Sequence, residues 1–266
     1  MENIIFELQN TLCSYDGRRI VLNIKELTIP IGNIIFFVGP SGIGKSTILE
    51  TLGMMNNTLH SSDKFTYNTL DMRQMWRNQR ELTKLRNNDF SFIFQQNNLM
   101  PNFSAHENAM TAALFQGMKI SEAAKKLREV FNRLGLPDDD RPISEFSGGQ
   151  QQRIAFVRAI LPKFSVLFGD EPTGNLDCNT AETLMQFISD EVHQNQTTAI
   201  IVSHDMHLAT KYADRIIQIR KVESKEQEYG LIDSQSVFVK EEGYWRHQSE
   251  QYTNETLYNK LINELK

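Results

Sequence analysis

The run Gly39-Pro40-Ser41-Gly42-Ile43-Gly44-Lys45-Ser46 holds phosphate-binding residue types at the spacing that phosphate binding needs. Gly39, four residues, then Gly44-Lys45-Ser46 is the phosphate-loop pattern. Glycines let backbone N–H groups turn inward around phosphate oxygens. A helix starting directly after them aims its positive N-terminal dipole at the same anion. Lys45 supplies a movable charge for β and γ phosphates, and the Ser46 hydroxyl is placed to ligate Mg²⁺, a hard ion that prefers oxygen. In a chain of 266 residues, an accidental match has a chance of roughly one in a hundred. Asp170-Glu171 follow the apolar run Val166-Leu167-Phe168 by one glycine. There Asp170 can hold Mg²⁺ through water while Glu171 polarises an attacking water, the division of roles that phosphoryl transfer requires. An acidic turn after a strand is common by itself; beside a phosphate loop it supplies the second half of a nucleotide site.

These groups need strand ends to hold them. Ile34-Ile35-Phe36-Phe37-Val38 reads as a buried strand that stops at the glycine-rich loop, and Ser46 to Leu52 reads as the helix beyond it. Short strands are expected before it, with turns at Asp16-Gly17 and Gly32-Asn33. Phe90 to Phe94, Val166 to Phe168 and Ala199 to Val202 are further strands, and a helix is expected from about Asp71 to Arg86. Alternating buried strands and helices imply a parallel α/β sheet. Ser104 with Glu107 has the form of a capping box opening a helix toward Gly117. Ala123, Ala124, Leu127, Val130, Phe131 and Leu134 recur at helical spacing, and Gly149 to Leu161 forms another helix. This stretch contains no strand, which predicts a separate helical lobe. Past Ile219 the charged run from Lys221 to Glu228 reads as a solvated hairpin or linker. Leu257, Leu261, Ile262 and Leu265 share one face of a terminal helix that would dock on the main body.

A net charge of -5 supplies no global basic field of the kind that counterion-driven nucleic-acid binding uses, so no nucleic-acid partner is expected. Cys13 and Cys178 form neither a metal nor a redox spacing, which suits free thiols. The start lacks a secretory pattern, and the longest apolar runs fall far short of the ~20 residues that span a bilayer. The expectation is a cytoplasmic chain that meets a membrane through a partner.

Phe146-Ser147-Gly148-Gly149-Gln150 resembles the LSGGQ motif of the nucleotide-binding subunits of ABC transporters, with Asp170-Glu171 at the expected interval. The resemblance runs from about residue 3 to 220. It implies a P-loop NTPase fold of ABC type: a RecA-like α/β core with an antiparallel β subdomain and an α-helical subdomain at about 96–161. The ATPase domain would then occupy 1–220, leaving 221–266 as a C-terminal extension whose role the sequence leaves open. The cofactors implied are ATP and Mg²⁺. Two copies would pair head to tail, and Ser147, Gly148 and Gly149, opening a helix, would offer an anion site to the phosphate held by the opposite copy.

The family's roles carry over position by position. Gly39, Ser41, Gly42, Gly44, Lys45, Ser46 and Thr47 would hold the phosphates, with Ser46, Gln95 and Asp170 at the metal. Glu171 would promote attack by water, assisted by Gln95, His204 and Lys45, and His204 would contact the γ phosphate. Gln95 ends the strand at Phe94; Gln96 follows directly, and Gln95 is chosen because it adjoins the strand. Asp177, in Gly174-Asn175-Leu176-Asp177, would cross the dimer interface. By the resemblance Tyr15 would stack on adenine, although an aromatic in an N-terminal strand is more often simple packing. His106, His193 and His207 lack such support and are expected at the surface. Phe146 for leucine and Gly169 for alanine depart from the family pattern without removing a catalytic group.

Glu171-Pro172-Thr173-Gly174-Asn175-Leu176-Asp177, with Leu99-Met100-Pro101 and Glu107-Asn108, looks most like the subgroup serving lipoprotein release, macrolide export and cell division. That resemblance implies a separate integral membrane permease, driven from the inner face of the cell membrane by ATP-dependent dimerisation. The other class consistent with it is an ABC ATPase that regulates an envelope enzyme or a sensor kinase without transport. Soluble ABC proteins of translation or repair are disfavoured by the single cassette.

Overall fold

The computed structural model describes residues 3–138, 141–174, 176–224 and 227–264. Strands β1 (Ile4–Cys13) and β2 (Leu22–Pro30) pair antiparallel, with Phe6 opposite Ile29 and Leu8 opposite Leu27. Gly32, at φ 74°, makes the turn into β3 (Ile34–Val38), all of whose residues are buried. The phosphate loop and α1 (Lys45–Leu52) follow directly. Strands β4 (Leu59–Ser61), β5 (Lys64–Tyr67) and β6 (Leu70–Asp71) complete the antiparallel layer.

The helix expected from Asp71 begins later, as α2 (Gln79–Asp89). Asp71 is committed to pairing with Thr66 on β5. The Asn78 side chain accepts the Glu81 N–H, fixing the helix start at Gln79. Strand β7 (Phe90–Ile93) leads into three helices: α3 (Ala105–Phe115), α4 (Ile120–Arg133) and α5 (Gly148–Ile160). Both halves of the Ser104–Glu107 capping box are formed, and Ala123, Leu127, Val130 and Phe131 are buried as their spacing predicts. Then come β8 (Val166–Asp170), α6 (Cys178–Asn195), β9 (Thr198–Val202), α7 (Met206–Tyr212) and β10 (Arg215–Gln218).

Strands β7, β8, β9, β3 and β10 lie side by side in that order and all parallel. Their faces feed two cores. Ile34, Phe36 and Val38 pack with the helices on one side, whereas Ile35 and Phe37 pack with α1 and the antiparallel sheet on the other. Burial on both faces is why β3 is a continuous apolar run rather than an alternating one.

Residues past 220 are woven into both sheets. Strands β11 (Arg220–Glu223) and β12 (Glu228–Ile232) form a hairpin. Its Lys221, Glu223 and Glu228 are exposed, as expected of a solvated hairpin, but β12 also joins the antiparallel sheet by pairing parallel with β2. Lys225 and Glu226 lie outside the described residues. Strands β13 (Val237–Glu241), β14 (Tyr244–His247) and β15 (Glu250–Tyr252) then extend the central sheet antiparallel from β10. Trp245 is fully buried, and its indole N–H donates to Asn254 Oδ1 at 2.9 Å, at the start of α8 (Asn254–Glu264). Leu257 and Leu261 are buried and Ile262 half-buried, so α8 docks through the face its spacing marks; Leu265 lies outside the described residues.

Candidate nucleotide site

Strand order creates the site. β9 lies between β3 and β8, so three loops leave the same edge of the sheet: the phosphate loop after β3, Glu171 after β8, and Ser203-His204 after β9. Ligands of open α/β sheets bind at that carboxyl edge. The loops enclose a cleft of 740 Å³. Gly42 (φ 75°) and Gly44 (φ 105°) take left-handed conformations that a side chain would strain, which curls the loop and starts α1 at Lys45. Lys45 Nζ donates to the carbonyl oxygens of Gly39 and Pro40, both at 2.8 Å. Burial lowers the Lys45 pKa, and the carboxylates of Glu171 and Asp170 oppose that effect.

The Ser46 hydroxyl donates to Asp170 Oδ2 at 3.2 Å. Burial raises the Asp170 pKa above its ordinary value, with the Ser46 bond pulling the other way. A hydroxyl and a carboxylate oxygen side by side are the hard donors that Mg²⁺ takes. Among the described residues no three His, Cys, Asp or Glu gather to hold a metal alone. These two donors therefore fit an ion whose remaining ligands are phosphate and water oxygens.

Glu171 is itself left-handed, at φ 49°, a conformation uncommon outside glycine. Its N–H is tied to Val202 O at 2.9 Å, so the turn is held by the neighbouring strand. The side chain meets His204 Nδ1 at 2.7 Å and Ser203 Oγ at 3.4 Å. It is 12% exposed, against 76% for His204. Strained backbone of this kind clusters at functional sites.

Tyr15 lines the cleft, more than half exposed. Its hydroxyl donates to Glu50 Oε2 at 2.6 Å and lies 3.1 Å from Thr47 Oγ1. Burial and the Glu50 bond push its phenol up to about 12. Gly39, Ser41, Gly42, Gly44, Lys45, Ser46 and Thr47 line the same cleft, as does Gln95 but not Gln96. Ser203 and Glu50 were not anticipated: a serine before His204 and a glutamate one turn into α1 carry no motif, and their roles come only from contact.

Ser147, Gly148, Gly149 and Asp177 are not among the described residues lining this cleft. Ser147 caps α5 in a complete capping box with Gln150, leaving Ser147 and Gly148 exposed. Asp177 caps α6 by accepting from Thr180 N at 3.0 Å and Oγ1 at 2.7 Å, bonds that lower its pKa. A Cβ on Gly149 would lie 3.7 Å from Leu176, so the Ser147 turn and the segment before Asp177 adjoin; Asn175 lies outside the described residues. Of the other histidines, His193 and His207 are exposed beside Asp214 and Glu182. His106 departs from expectation: it is half-buried, 2.7 Å from Asp138 and packed on Phe131, because it sits in the first turn of α3 under the helical lobe.

An anion loop after the central strand, with a metal-type carboxylate and a turned-in glutamate two strands away, is the layout of a P-loop nucleoside triphosphatase. The family model described as ABC transporter matches residues 22–174. The lipoprotein-releasing system ATP-binding protein LolD of Colwellia psychrerythraea is 39% identical over 201 residues, covering 75% of this chain and 76% of that one. The macrolide export ATP-binding/permease protein MacB of a Shewanella species is also 39% identical, but the chain spans only 30% of its length. The ABC transporter cassette MJ0796, solved as a dimer, superposes with a TM-score of 0.71 at 30% identity, covering 80% of this chain and 94% of that one. The same cassette has been solved in a post-hydrolysis state bound to ADP and Pi. The chain belongs to the ABC transporter family of ATPases. It is an ATPase subunit that uses ATP with Mg²⁺ and resembles the LolD and MacB cassettes. No helix among its described residues is long and apolar enough to cross a membrane.

Proposed function

We propose that the chain drives a separate integral membrane permease from the inner face of the membrane, by closing and opening an ATP-bound homodimer. The observation that carries this reading is one short loop. Phe94 lines a 660 Å³ groove between α2, α3 and α5, together with Phe92, Phe115, Arg86 and Arg158, while the next residue, Gln95, lines the nucleotide cleft. Arg158 donates to the carbonyl oxygens of Asn97 and Asn98, tying that loop to α5. Phe115 is 79% exposed at the groove, an apolar ring in a basic setting that suits a short partner helix. A partner moving in the groove therefore moves the residue beside the bound nucleotide.

In this reading Gly39 to Thr47 hold the phosphates, Ser46, Asp170 and Gln95 the Mg²⁺, and Glu171 orients the attacking water once its contact with His204 opens. Tyr15 stacks on adenine. The α5 terminus at Ser147 to Gly149, exposed at Ser147 and Gly148 and with Asp177 nearby, meets the nucleotide of the second copy, so ATP acts as interfacial glue and hydrolysis removes it. Residues 1–220 form the ATPase domain, and the strands beyond brace it. The names of LolD and MacB support a lipoprotein-release or export setting.

Light scattering on Glu171→Gln tests the mechanism: monomer without nucleotide, dimer with MgATP. A variant that stays monomeric with MgATP, alone and with its permease, would sink the shared-site reading. An ABC ATPase that regulates an envelope enzyme or kinase would dimerise equally but support no transport when reconstituted.

A further inference from the structure

A second cavity, of 470 Å³, continues from the nucleotide cleft, and Tyr15, Val21, Pro40, Ser41 and Gly42 line both. Its outer wall comes from residues that take no part in the phosphate and metal chemistry. Lys221, Glu228 and Tyr229 stand there on the β11–β12 hairpin, and Arg19 lines the same cavity. The hairpin is tied by hydrogen bonds to the segment that leads into β2. Gly230 N donates to Val21 O at 2.9 Å, and Ile20 N donates to Gln227 Oε1 at 3.2 Å. A Cβ on Gly230 would lie 2.3 Å from the Ile43 carbonyl, so β12 presses directly on the phosphate loop. Lys221 Nζ sits between Glu223, at 2.9 Å, and Glu228, at 3.1 Å, which holds its charge at the rim.

Resting on the nucleotide-binding reading of the cleft, in which Tyr15 meets the base, we propose that the β11–β12 hairpin contributes a second recognition element for that base through Tyr229. The phosphate loop fixes one end of a nucleoside triphosphate, and the cavity begins at that loop and at Tyr15. Two aromatic rings, Tyr15 and half-buried Tyr229, line one space of nucleoside size. Flat π-faces are what a purine stacks on. Arg19 and Lys221 supply donors for ribose hydroxyls and ring nitrogens, and Glu228 supplies an acceptor for an exocyclic amine.

Isothermal titration calorimetry with two ligands separates base from phosphate: MgATP, and inorganic tripolyphosphate with Mg²⁺. Tyr229→Ala is expected to weaken MgATP binding about tenfold and leave tripolyphosphate unchanged, while Tyr229→Phe, which keeps the ring, binds both as wild type does. Tyr229→Ala binding MgATP like wild type, or losing both ligands equally, would overturn the proposal. Lys45→Ala is the control for the phosphate end. If that variant bound both ligands undiminished, or wild type bound neither, the nucleotide reading itself would fall and take this inference with it.

Discussion

Asp170 sits where its charge is unfavourable to the fold and, on the proposed reading, useful to Mg²⁺. Burial raises its pKa above the ordinary 3.8, so the folded chain binds the proton more tightly than the unfolded one. The resulting loss of stability is absent at low pH, develops as pH rises through 3.8, and is complete above the raised value. Asp170→Asn is therefore expected to melt at a higher temperature than wild type at neutral pH, in the absence of Mg²⁺ and nucleotide. The two should converge near pH 3, and the variant should lose ATPase activity. Melting curves across pH check this; a variant less stable than wild type at pH 7 would show that the carboxylate's bond from Ser46 outweighs its desolvation. Glu171 is likewise constrained: its left-handed turn and its His204 and Ser203 partners fix the carboxylate at the cleft.

Among the elements, the β11–β12 hairpin shows how a segment far along the chain can shape the phosphate loop. Gly230 has no room for a side chain against Ile43 O, Ile219 and Leu22. Gly230→Val is expected to cost about 1–3 kcal/mol through overpacking, lowering the melting midpoint by roughly 2–4 °C for each kcal/mol in a chain of this size. It should weaken MgATP binding as well, because the strand can relieve the clash only by pushing the loop. Loss of stability with wild-type nucleotide affinity would place the strain elsewhere. Helix starts were the best-marked elements in the sequence: Ser104–Glu107 and Ser147 are short-range signals, and local hydrogen bonds suffice to satisfy them. The start of α2 was misjudged by eight residues because the polar stretch from Asp71 has helical composition, while pairing of Asp71 with β5, a tertiary contact, claims its first residue.

For the whole molecule, the proposed drive of a permease requires coupling between groove and cleft. Phe115→Asp removes an exposed ring without touching the cleft. The isolated subunit should keep its ATPase rate within about twofold while losing co-purification with the permease, since exposed substitutions away from buried features change stability little. Retained co-purification would show that the permease docks elsewhere.

The class of chemistry, ATP hydrolysis with Mg²⁺, was legible from residue types and short motifs. The phosphate-loop pattern and the Asp170-Glu171 turn each depend on residues at fixed short spacings, and such spacings survive any packing of the remaining chain. Family membership followed from the same motifs. Packing settled which strand lies beside which, and therefore that His204 and Ser203 meet Glu171, that Gln95 rather than Gln96 lines the cleft, and that Tyr229 lines the cavity next to it. It also placed β13 to β15 on the edge of the central sheet, where the sequence showed only weakened patterning. Strand pairing is made by backbone hydrogen bonds, which any residue but proline can form. Partner and register are then selected by burial over the whole sheet, and no local pattern records that choice.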